Sequence, residues 1–224
     1  MQLSTGAYVV NFGGQAIVLN LQQDRYVYLG PHLSTVAGKA IDKGLSDEER
    51  LAAVRELVSK GILDDDCDRR SYQFETDEPI SLPRSTSWPS IRFGLGLGGQ
   101  IHLTLKALRA LYDVGYSLRT RPFIETVQYL RDQRRAGRKV KPKQSANDAL
   151  DSFFAARPWF PTPPVCRLDA SALCLHLWRS GHDASLVFGV RIEPFSAHCW
   201  AQGEEASLNE PHDQLRQYTP IMAI

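Results

Sequence analysis

Cys166-Arg167-Leu168-Asp169-Ala170-Ser171-Ala172-Leu173-Cys174-Leu175-His176-Leu177-Trp178-Arg179 and, after it, Ser196-Ala197-His198-Cys199-Trp200 are the stretches whose reading decides the fold. The first predicts a helix with a thiol on its first turn and a core face of Leu168, Ala172, Leu175 and Trp178. The second predicts a strand that carries an imidazole 32 residues after the thiol. A thiol at a helix N-terminus feels the positive end of the helix dipole and the unpaired N–H groups of the first turn, both of which favour thiolate. An imidazole on a neighbouring strand can take a proton and return it to a leaving amine. Cys166 and His198 are therefore the candidate nucleophile and base.

Working outward, Pro161-Thr162-Pro163-Pro164 fixes an extended approach and forces the helix to begin close to Cys166. On the other side, hairpin arithmetic offers a third member. A three-residue loop centred on Glu204 pairs 202 with 206 and sets Glu210 opposite His198, whereas a two-residue turn sets Asn209 there. Either side chain can accept the imidazole N–H and fix its tautomer, and Asp213 is a looser alternative. Glu210 is the favoured candidate. Cys174, two helical turns along, is expected in the core or partly exposed, Cys67 falls in a linker, and Cys199 points to the strand face opposite His198. The four cysteines have no CxxC spacing, so neither a zinc site nor a disulfide framework is expected, and no metal.

The rest of the chain predicts an α+β protein of two domains. Residues 1–66 read as a small β-then-α unit: strands Ala7–Val10, Ala16–Asn20 and Arg25–Leu29, turns at Gly13-Gly14 and Gln23-Asp24, a helix over 33–41, and a second capped by Ser46-Asp47-Glu48-Glu49 that stops at Gly61. The composition changes over 64–92, from Asp64-Asp65-Asp66 through Arg69-Arg70 to a polar run with Pro79, Pro83 and Pro89, and residues 67–98 read as linker. Residues 99–224 hold helices at about 100–114, 121–135 and 144–156, parted by Gly115 and by the basic run Arg131–Lys143, then the helix from Cys166 and strands near 184–192, 196–202, 206–210 and 217–223. Gly94-Leu95-Gly96-Leu97-Gly98-Gly99 matches a dinucleotide fingerprint with Asp113 downstream. More helix follows where a parallel strand is required, so no cofactor is expected. A net charge of +1 gives no attraction to nucleic acid or anionic lipid, and the apolar runs are too short to span a membrane. The N-terminal residues lack a secretory pattern, which predicts a cytoplasmic protein.

Cys166 at the start of a Ser/Ala/Leu-rich helix, Leu177-Trp178-Arg179-Ser180-Gly181-His182-Asp183-Ala184, Gly189-Val190-Arg191, Pro194-Phe195 and Ala197-His198-Cys199-Trp200 resemble the lasso peptide biosynthesis B protein. That resemblance implies a transglutaminase-like (papain-like) cysteine protease, with helices packed on an antiparallel sheet, that removes the leader from a ribosomally made precursor peptide. It implies Cys166 as nucleophile, His198 as base and acid, and Glu210 as orienter, where the family usually has aspartate. The family usually shows Ala-Trp-Val-Glu after the histidine, and this chain has Cys199-Trp200-Ala201-Gln202. The N-terminal unit resembles the winged-helix-like recognition element of the family, similar to a small peptide chaperone. The leader would be captured as an added strand along Tyr26, Val27, Tyr28 and Leu29. An asparagine-synthetase-like cyclase is the implied partner. An acyltransferase with the same residues and a non-catalytic leader chaperone are the competing expectations.

Overall fold

A computed structural model of the chain describes residues 4–30, 52, 55–62, 81–86 and 97–224. The chain divides into two compact units, Met1–Glu78 and Pro79–Ile224. The expected helix over 33–41, the capping box at Ser46 and Cys67 lie outside the described residues.

In the first unit β1 (Ala7–Phe12), β2 (Gln15–Asn20) and β3 (Arg25–Leu29) form an antiparallel meander in the order β1-β2-β3. Phe12 pairs with Gln15, so the first hairpin turns on Gly13 and Gly14 alone. Both have positive φ (55° and 104°), which the right-handed twist of a two-residue hairpin demands. Ala16, Val18 and Leu29 share one sheet face and pack with Leu57 from a helical turn over 55–59 and with Ile62. Gly61 (φ 67°) ends that turn and gives its carbonyl to the Asn20 side chain, 2.9 Å away.

Among its described residues the second unit combines four long helices and one short one with a five-stranded sheet. α1 (Leu97–Thr120), α2 (Phe123–Gly137), α3 (Ala146–Ala156) and α4 (Cys166–Arg179) precede β5 (Ser185–Arg191), β6 (Ser196–Gln202), β7 (Ala206–Ser207), the short α5 (His212–Leu215) and β8 (Thr219–Ala223). The sheet order is β4-β7-β6-β5-β8, with β4 (Ser85–Thr86) parallel to β7 and the other pairs antiparallel. α4 packs against α1, α2, α3 and β6, and every residue from Ala170 to Trp178 is buried. The single core face expected of it is therefore too narrow: the helix is enclosed on all sides, with Ser171 and His176 buried among its apolar residues. Gly137 permits one of these contacts, since a Cβ there would lie 2.5 Å from the Trp178 carbonyl oxygen.

Three expectations need correction. Gly115 does not end a helix; α1 runs through it, and the missing side chain admits Phe160 and Leu168, 3.4 and 3.7 Å from where a Cβ would sit. The strand expected over 206–210 stops at Ser207. Within the span read as linker, residues 81–86 belong to the sheet: Ser85 and Thr86 pair with β7, and the Ser81 carbonyl accepts a bond from the Gln202 side chain at 3.1 Å. Asp113, the acidic residue of the glycine-rich pattern, is held by Arg179 at 2.6 Å. The basic run is drawn partly into structure, with Arg134 bonding Asp183 and Ser185 at 3.0 and 3.2 Å.

Candidate active site

Cys166 is the first residue of α4, and Val165 before it is extended, with no side chain capping the helix. The approach is anchored by Arg157, whose Nε donates to Asp169 on the first turn of α4 at 2.7 Å while Nη2 donates to the Thr162 carbonyl at 3.0 Å. This pair is largely shielded from water and ties the proline-rich segment to the turn that presents the thiol. Burial nonetheless holds the Asp169 carboxyl above its usual range, against the pull of Arg157.

β6 ends up beside that thiol by its edge. Ala201 N–H points toward the β7 side, where it donates to Asn209 Oδ1 at 2.7 Å. Cys199 N–H, two residues earlier and so on the same edge, donates to the Cys166 sulfur. A sulfur in line with the strand edge meets side chains from both sheet faces, and Cys166 hydrogen-bonds the side chains of both His198 and Cys199. Alternation along the strand sends Cys199 away from His198, as expected, but not away from Cys166. That contact was missed because the sequence does not reveal that the thiol would sit at the edge.

His198 Nε2 lies 3.2 Å from Glu210 Oε1, which leaves Nδ1 for the sulfur. Both side chains are about one-fifth exposed. Glu210 arrives there by a different route from the hairpin arithmetic. Gln202 pairs with Ser207, so the loop is one residue longer than the three-residue turn and the ladder stops before it reaches His198. The segment that follows is pinned instead: Ser207 Oγ donates to the Glu210 carbonyl at 2.6 Å and accepts from its N–H at 3.2 Å, Asn209 caps β6, and Leu215 of α5 is buried in a cluster with Val187 and Trp200. Asn209 thus serves the backbone and not the imidazole, and Asp213 is 92% exposed beside His212.

Trp200 and Tyr218 wall the imidazole, with ring centroids 6.4 and 5.4 Å from it. Gly189, paired with His198, leaves room for the indole: a Cβ there would lie 2.8 Å from the Trp200 ring. Trp200 Nε1 donates to Gln202 Oε1 at 2.8 Å. None of these wall residues was singled out from sequence, although the Gly-Val-Arg and His-Cys-Trp motifs contain two of them.

The electrostatics follow from these contacts. Hydrogen bonds from Cys199 and then His198 bring the Cys166 thiol down to about 4, against the cost of burial. The His198 imidazole is raised to about 10, first by its bond to Cys166 and then by Glu210. The resting pair is thiolate and imidazolium, which can attack an electrophilic carbonyl and protonate a leaving group. Cys174, enclosed in α4, is pushed up by burial. Among the described residues no group of three or more histidine, cysteine or acidic side chains is arranged to hold a metal ion.

A model of the transglutaminase-like superfamily matches residues 108–223, just over half of the chain. The chain belongs to the transglutaminase-like superfamily. Members of this superfamily are typically Cys-His-Asp enzymes, and the domain indicates protease- or acyltransferase-type chemistry. The matched transglutaminase-like region contains Cys166, His198 and Glu210, and it begins within α1. No curated protein and no solved structure matches the chain significantly. Among the described residues no helix is long and apolar enough to cross a membrane.

Proposed function

We propose that this protein is a cysteine peptidase that removes the leader from a lasso precursor peptide. The observation that carries the reading is the continuous relay Cys166–His198–Glu210 at the start of a buried helix in a transglutaminase-like domain. The lasso-type sequence features around it supply the substrate class. The Cys166 thiolate attacks the carbonyl at the leader–core junction, and His198 gives its Nδ1 proton to the departing amine of the core. His198 then takes a proton from water, which hydrolyses the thioester and frees the leader. Glu210 holds the ring with Nδ1 toward the sulfur and supports the imidazolium. The Cys166 N–H, on the uncapped first turn of α4, is the proposed oxyanion donor.

The N-terminal unit, residues 1–66 in this reading, captures the leader as an added strand on β3, the last strand in the order of its sheet. There Leu29 is fully buried and Tyr28 is half-exposed, so main-chain bonds along Tyr26–Leu29, with Tyr28 as the outward contact, carry the recognition. The partner is an asparagine-synthetase-like cyclase that receives the core, and the setting is the cytoplasm. Incubation of a lasso precursor with the protein, cyclase and ATP, followed by mass spectrometry, tests this. Wild type should separate leader from core, and Cys166→Ala should leave the precursor whole. Transfer of the acyl group to added amines in preference to water would favour the acyltransferase, and product formation unaffected by Cys166→Ala would favour a leader chaperone.

A further inference from the structure

Glu210 holds His198 by one edge, with Nε2 3.2 Å from Oε1. The other ring nitrogen serves the thiol, the leaving amine and water in turn, so it cannot anchor the ring throughout turnover. A carboxylate on one nitrogen leaves the imidazole free to pivot about that bond. What restrains it further is packing: the Tyr218 ring lies 5.4 Å from the imidazole, centroid to centroid, at an interplanar angle of 35°.

Tyr218 is itself held from several directions. Its N–H donates to the Leu215 carbonyl at 2.9 Å, and its hydroxyl shares a hydrogen bond with Ser196 Oγ at 3.2 Å. The guanidinium carbon of Arg191 lies 5.6 Å from the centre of the phenol ring, and Arg191 Nη1 donates to Gln217 Oε1 at 2.5 Å. Strand pairing brings these groups together. Arg191 pairs with Ser196 and Gly189 with His198 across β5 and β6, so Arg191, Ser196 and His198 share one face of the sheet. Tyr218 reaches that face over Gly189, where a Cβ would lie 3.1 Å from the Tyr218 Cβ. The glycine is what lets the tyrosine approach the imidazole.

We propose that Arg191 is a positioning residue for His198 that acts through Tyr218: the guanidinium and the Ser196 hydroxyl fix the phenol ring, and the ring keeps the imidazole on Glu210 while its other edge gives and takes the proton. The inference rests on the reading of His198 as the base. Among the described residues Arg191 has no carboxylate partner; a neutral amide orients it, so its charge is directed to the face of the tyrosine ring. A guanidinium suits this task because it is planar, always charged and can bond an acceptor while it lies over an aromatic face. The gain is one of aim. A base that swings by about an ångström loses much of the advantage of a fixed geometry, up to about a hundredfold in rate.

The test compares Arg191→Met with the conservative Arg191→Lys in the full-length protein. The first readout needs no peptide: NMR of nitrogen-labelled protein follows exchange with water of the His198 Nε2 proton that Glu210 holds, with His198→Gln to assign it. Exchange should be at least about tenfold faster in Arg191→Met and within about twofold of wild type in Arg191→Lys. The second readout is cleavage of a lasso precursor with cyclase and ATP. There kcat should fall at least about tenfold in Arg191→Met with KM unchanged, because a misaimed base slows the chemical step and leaves peptide binding alone. Wild-type exchange in Arg191→Met, equal acceleration in Arg191→Lys, or a loss confined to KM would overturn the proposal. If Arg191→Met does not fold, Tyr218→Phe decides: it keeps the ring, loses only the bond to Ser196, and should speed exchange by about threefold, and an unmoved proton there would overturn the proposal equally. Faster exchange in Arg191→Met, in a protein that cleaves no precursor even as wild type, would sink the peptidase reading alone. Cleavage by wild type with a His198 proton indifferent to Arg191 would sink the positioning role alone.

Discussion

Replacing Glu210 by glutamine should separate the two titrations of the thiolate–imidazolium pair. At 3.2 Å the Glu210–His198 attraction is about 5 kcal/mol at an effective dielectric of about 20 and about 1 kcal/mol in bulk water. With both side chains about one-fifth exposed, the working value lies between these limits. An opposite charge this close is worth about 1–3 pKa units, or ~1.4–4 kcal/mol. Glutamine keeps the acceptor oxygen and loses the charge. The His198 titration should therefore fall from about 10 by that amount. The Cys166 titration should stay near about 4, because the sulfur faces Cys199 and the imidazolium, not the carboxylate. Nitrogen-labelled histidine NMR reads His198 directly, and with six histidines in the chain a His198→Gln control assigns the signal. An unmoved His198 titration in Glu210→Gln, or a wild-type His198 that titrates at its ordinary 6.5, would refute the reasoning.

Stability should follow pH with a plateau. Cys166 falls from 9.0 to about 4 on folding, so its contribution is complete above about 9 and is lost as pH falls toward about 4; His198 rises from 6.5 to about 10, so its contribution is complete below 6.5 and is lost as pH rises through about 10. The stability gap between wild type and Cys166→Ala in urea titrations should therefore be widest between 6.5 and 9, and a gap that widens on acidification would contradict this. Gly137→Ala should lower stability by about 1–3 kcal/mol in thermal melts, because its Cβ meets the Trp178 backbone, which cannot swing aside. Arg157→Ala should cost ~2–3 kcal/mol, since it strands the Asp169 carboxylate in a shielded site, and Asp169→Asn in the same background should recover part of the loss.

What the sequence made legible was whatever depends on local pattern. The thiol at the head of a helix, the His198 strand and the three-stranded meander all follow from periodicity and turn residues that act over a few positions. The Glu210 contact was reached from the right neighbourhood by the wrong register. Whether the loop after β6 takes three residues or four is settled by the Ser207 and Asn209 bonds to backbone, and those become visible only once the chain has folded back. Gly115 and Gly137 illustrate the same limit, because a glycine that admits a neighbouring side chain or backbone carries the same letter as one that ends a helix. Cys199 was discounted by an alternation rule that is correct for the strand. The rule fails to include a sulfur lying along the strand's edge, a relation set by how α4 packs on β6.

The central claim, that Cys166 opens the leader–core bond, is tested most directly by acid-quenching the reaction with a lasso precursor and measuring the intact mass of the enzyme. The account predicts a thioester on Cys166 carrying the leader, with free core peptide in the same sample, and neither in Cys166→Ala. Core peptide released equally by the variant, or an enzyme that never carries the leader while the precursor is cleaved, would contradict it.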